Sequence, residues 1–149
     1  MNGRLQQITA MLTLGLLLAG ATGCSSPCQT AAADVSPRRW EAPAEIRLEN
    51  VDTVMLRNAA LFLRCNDRFT EDTLTVRIAA LSPDSLRFEE PFLLALTRTN
   101  GPAALMREYL VPYRHRIRLG RTGEYRFRIT PIRPVRGVEA IGIQLSESR

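Results

Sequence analysis

The chain has 149 residues, 20 basic and 15 acidic, for a net charge of +5, and every basic residue is an arginine. A hydrophobic content of 45% excludes a disordered or collagen-like protein, and the length fits one domain. The pI near 9.8 would ordinarily raise nucleic acid as a partner, but the N-terminal segment argues against it.

After Arg4, residues 8–21 run without a charge around Leu12, Leu14, Leu16, Leu17 and Leu18. That length suits the apolar region of a signal peptide and is short of the roughly 20 residues a bilayer span needs. The run ends Gly20-Ala21-Thr22-Gly23-Cys24. Small residues before a cysteine resemble the lipobox of a bacterial lipoprotein signal. The expectation is a signal over residues 1–23, cleaved before Cys24, whose thiol carries a diacylglycerol. A plain cleaved signal, with Cys24 an ordinary residue, is the competing reading. Ser25 and Ser26 bring no acid after the cysteine, which by resemblance to sorting signals suggests the outer membrane, facing the periplasm. The expected partners are then the membrane, through the lipid anchor, and envelope proteins, with no nucleic acid. In that oxidising compartment Cys28 and Cys65 could pair as a disulfide, or stay apart, one in a tether and one in a strand.

Residues 24–39 are small and polar, with Pro27, three alanines and Pro37, and read as a tether. The folded domain is expected over residues 40–149, opening at Trp40. Seven segments alternate with period 2: residues 45–50, 57–65, 73–79, 92–97, 114–119, 124–130 and 140–145. Gly, Pro, Asn and Asp separate them. The pattern predicts an all-β chain, a single antiparallel β-sandwich of about seven strands on a lipidated N-terminal tether. Residues 102–109 are the one stretch that could be helical.

The segments around residues 114–119 and 124–130 suggest an arginine-rich hairpin. Opposed residues of an antiparallel pair share a face. If the two strands are adjacent, pairing Leu119 with Tyr125 keeps the apolar residues together. The loop is then Arg121-Thr122-Gly123, with Gly123 at φ > 0. That register puts Arg114, Arg116, Arg118, Arg126 and Arg128 on one face. Guanidinium groups suit phosphate and carboxylate, so an anionic envelope ligand is one reading. A solvated face whose arginine stems cover apolar surface is the other. Arg107 to Arg136 hold nine arginines against Glu108 and Glu124, so the basic excess is local.

No enzyme is expected. His115 is the one histidine, and the alternation predicts it on the apolar face. No GxSxG, HExxH or phosphate-cradling glycine loop accompanies it. No cofactor is expected, and no cysteine–histidine cluster suggests a metal. Asp67 to Asp72 read as a polar hairpin turn rather than a calcium loop.

Several stretches, in order, resemble the gliding-motility lipoprotein GldH family. They are Trp40, Val51-Asp52-Thr53, Leu61-Phe62-Leu63-Arg64-Cys65-Asn66-Asp67, Thr73-Leu74-Thr75-Val76 and Val111-Pro112-Tyr113-Arg114. Gly123-Glu124-Tyr125-Arg126-Phe127-Arg128-Ile129 and Gly137-Val138-Glu139-Ala140-Ile141-Gly142-Ile143 complete the set. Residues 82–100 depart from it, as does Thr130-Pro131-Ile132-Arg133. The resemblance implies a small, non-enzymatic envelope lipoprotein, an accessory or structural component acting through contacts with other motility or secretion proteins. A tethered binding module for an anionic envelope ligand is the alternative.

Overall fold

The computed structural model describes residues 28–97 and 105–148. Eight strands run β1 (Cys28–Asp34), β2 (Ala44–Asn50), β3 (Leu56–Asn66), β4 (Thr73–Leu81), β5 (Arg87–Ala95), β6 (Met106–Arg118), β7 (Gly123–Pro131) and β8 (Val138–Glu147). They form two four-stranded antiparallel sheets, ordered β1-β8-β3-β6 and β2-β7-β4-β5. The all-β sandwich expected from the periodicity is present, with eight strands.

Period-2 burial explains why these segments pair. On β2, Ala44, Ile46 and Leu48 are buried while Glu45, Arg47 and Glu49 face solvent. On β3, Ala59, Leu61, Leu63 and Cys65 are buried on one face, as their spacing predicts. Ile141, Ile143 and Leu145 on β8 pair with Leu63, Leu61 and Ala59 and enter the same core. Leu74, Val76 and Ile78 on β4, Leu94 on β5 and Ile129 on β7 close it from the opposite sheet. Trp40 seals one end, bridged to Val135 and donating its indole N–H to the Ala42 carbonyl at 2.8 Å.

The connectivity is that of a jelly roll. β1 pairs with β8, β2 with β7, β3 with β6 and β4 with β5. Of the seven connections, only β4 to β5 joins strands paired in the same sheet; the other six cross between sheets. The topology therefore resembles one long hairpin, with β4–β5 at its tip, rolled up so that successive pairs alternate layers.

Three expectations are corrected here. Residues 28–34 are not tether: they form β1 and pair with β8 from Cys28↔Ser146 to Asp34↔Ala140. Alanine has low strand propensity, so the run reads as linker; pairing with β8 overrides that propensity. Small residues also suit this position, because a Cβ on Gly142 would lie 2.5 Å from the Ala31 carbonyl and 2.7 Å from the Ala32 Cβ. Helix is absent from the described part of residues 102–109: Met106 to Tyr109 belong to β6, and Pro102 to Ala104 lie outside the described residues. Finally, residues 67–72 do not make a hairpin. They arch from β3 in one sheet to β4 in the other, with Phe69 buried beneath.

Candidate functional site

The arginine hairpin does not form. β6 lies in one sheet and β7 in the other, so Leu119 and Tyr125 are not strand partners. β6 pairs with β3 over ten positions and β7 with β2 over seven, and these long ladders outcompete a local hairpin. Gly123 does take a positive φ, 117°, but in an inter-sheet arch. Asn50 holds that arch: fully buried, it donates from Nδ2 to the carbonyls of Leu119 at 3.0 Å and Arg121 at 2.8 Å.

The five predicted arginines are therefore divided. Arg114, Arg116 and Arg118 lie on β6, at the edge of one sheet. Arg126 and Arg128 lie on the outer face of the other. Alternation along β6 also fails near its end. Two register shifts separate Arg57↔Ile117 from Ala60↔Pro112, so β6 carries two extra residues there. Arg116 sits in this bulge at φ 53°, its N–H donated to Asn58 Oδ1 at 3.1 Å. The bulge turns His115 to solvent, contrary to the buried position that strict alternation predicts.

Arg114 makes a different site. It spans the open edge between the sheets and reaches both carboxylate oxygens of Glu90 on β5 at 2.7 Å. The Tyr113 hydroxyl donates to the same carboxylate at 2.5 Å. Those bonds, from Tyr113 first and Arg114 second, hold the Glu90 carboxyl below the usual glutamate range. Burial, then the Glu90 carboxylate, pushes the Tyr113 hydroxyl up to about 12. The Tyr113 ring packs edge-on against Phe92 at 5.0 Å, and the Arg114 guanidinium lies over Phe88 at 5.7 Å. Fully satisfied on both sides, the cluster is a latch between β5 and β6.

Cys28 and Cys65 are free. Cys28 lies level with Ser146 and Asn58, and Cys65 seven residues further along β3. Seven residues of strand separate them by about 23 Å, well beyond disulfide reach. Burial pushes the Cys65 thiol up to about 12, so it stays protonated at neutral pH. Cys24 lies outside the described residues. Among the described residues, no group of three or more His, Cys, Asp or Glu could hold a metal ion, and no helix is long and apolar enough to cross a membrane.

The two outer faces of the sandwich differ. On β1-β8-β3-β6 the row Ala32, Gly142, Phe62 and Leu110 crosses the whole sheet without a charge. Ala60 and Pro112 continue it, and Leu110 and Met106 are 53% and 46% exposed. The next row carries charge: Arg64 and Glu108 neutralise each other at 2.8 Å, and Asp34 lies exposed at its β1 end. On β2-β7-β4-β5 the rows are charged: Glu45, Arg128, Ala79 and Glu89, then Arg47, Arg126, Leu81 and Arg87. Arg128 pairs with Glu45 at 2.9 Å and Arg126 with Glu124 at 2.6 Å. Arg47 was legible as the polar partner of Ile46 and Leu48. Arg87 was not, because the strand signal there begins only at Phe92.

No protein-family model matches the chain, and no curated protein matches it. Among solved structures, a chain of the X-ray structure of tomato aspermy virus is similar at a TM-score of 0.28 and 10% identity, covering 97% of this chain and 94% of that one. A likeness of that size carries no argument.

Proposed function

We propose that the chain is a non-catalytic, lipid-anchored protein of the cell envelope, working through protein contacts made by the outer face of β1-β8-β3-β6. The observation that supports this is the uncharged row from Ala32 to Leu110, with Leu110 and Met106 open to solvent on edge strand β6. A contiguous apolar surface on a small domain marks a contact site, and an uncovered edge strand adds unpaired backbone groups. The small residues before Cys24 support the anchor, and the GldH resemblance supports an accessory role in a motility or secretion assembly. Four residues of chain take Cys24 to Cys28 of β1, so that strand residue lies within about 15 Å of the lipidated one. The domain then works against the membrane surface.

Affinity capture of the tagged protein from membranes tests this reading. Cys24→Ser should leave the membrane fraction, and its retention there would refute the anchor. Leu110→Glu should stay membrane-bound and lose the proteins captured with wild type. Identical captured proteins would refute the contact face.

A further inference from the structure

The outer face of β2-β7-β4-β5 carries a groove of about 480 Å³. Its origin is a mismatch of side-chain length. Ala79, on the interior strand β4, lies between Arg128 on β7 and Glu89 on β5. The next row sets Arg47 directly opposite Arg126, followed by Leu81 and then Arg87. A short residue between long ones leaves a depression floored by Ala79 and Leu81.

The charges around this groove are not balanced within the protein. Directly opposed like charges disfavour a strand pair, yet Arg47 faces Arg126. Arg126 has its Nε on Glu124, and no protein group takes its terminal nitrogens among the described residues. Arg47 and Arg87 form no ion pair within 4 Å among the described residues, although Arg47 feels the Glu124 carboxylate; Arg77, two rows away, is neutralised by Glu89 at 3.4 Å. Neighbouring strands lie about 4.8 Å apart, so Arg87 stands about 10 Å from Arg126 across the groove. Arginine side chains from both walls can meet over Leu81.

We propose that this groove binds a phosphorylated sugar, with Arg47, Arg87 and Arg126 holding the phosphate. Three guanidiniums from three strands suit a tetrahedral dianion with several acceptor oxygens. A lone phosphate would fill little of a groove that lies within the volume range of small-molecule sites. The floor, Ala79 and Leu81, offers apolar surface that one face of a pyranose ring covers.

Calorimetry on the full-length protein, in a detergent without a sugar headgroup, tests it with glucose 1-phosphate, inorganic phosphate and glucose. Glucose 1-phosphate should bind saturably, weaken as salt is raised, and bind at least tenfold more tightly than inorganic phosphate; glucose should not bind. Arg47→Ala and Arg87→Ala should each lose tenfold or more, while Arg39→Ala, at the far end of the sandwich, leaves binding unchanged. No saturable binding, or binding untouched by the first two substitutions, would overturn the site. Equal affinity for inorganic phosphate would overturn its assignment to a sugar. A melting curve for each variant separates lost binding from lost folding.

Discussion

The two outer faces of this sandwich are built on the same inner alternation and end with opposite surfaces. Behind Ile141 and Ile143 the outward positions are Gly142, Ala140 and, across the sheet, Phe62 and Leu110. Behind Ile46 and Ile129 they are Glu45, Arg47 and Arg128. Core burial specifies only every second residue of a strand. The free half decides what each face can meet: an apolar partner on one side, anions on the other.

The largest expected effect breaks this contrast where the apolar face is tightest. Gly142→Ala pushes a Cβ into the backbone of β1 and should cost about 1–3 kcal/mol in urea unfolding. The matching truncation on the charged face, Arg128→Ala, should stay within roughly 0.5 kcal/mol, because its ion pair is exposed. Equal costs would show that the faces are not packed differently.

A smaller effect concerns the latch that joins the two faces at their common edge. Tyr113→Phe deletes the hydroxyl bonded to Glu90 and should cost about 1 kcal/mol by the same measurement. Its pH dependence follows from Glu90. The folded state holds this carboxyl below its ordinary 4.5, so the unfolded chain takes up the proton first. The stabilisation is therefore complete above that value and fades as pH falls through the lower, folded one. The stability gap between wild type and Glu90→Gln should be constant from pH 7 to 5.5 and shrink below pH 4.5; a gap that grows on acidification would refute the latch. The smallest effect is local. Arg116 holds φ 53° without being glycine, so Arg116→Gly should raise stability by a few tenths of a kcal/mol.

Much of this molecule was legible in the chain. Alternation located seven of the eight strands and named the inward faces of β2, β3, β4 and β8. β1 was missed because alanines next to a presumed tether carry no strand signal; only their partner β8, more than a hundred residues away, makes them a strand. The arginine site was misjudged for a related reason. Parity fixed a register for a hairpin that does not form, because adjacency in sequence is not adjacency in a sheet when pairs alternate layers. Arg126 and Arg128 kept their outward face, but Arg126 lies opposite Arg47 and Arg128 opposite Glu45, instead of Arg118 and Arg116. His115 was misplaced by a two-residue bulge that no local pattern announces.

Site-specific photo-cross-linking in intact cells tests the central claim most directly. A cross-linking residue at Leu110 samples the apolar face, and one at Thr75, outward on β4 beside Leu93, samples the opposite sheet. The account expects a discrete protein adduct from Leu110 and none of the same mass from Thr75. Silence at Leu110, or the same adducts from both positions, would contradict it.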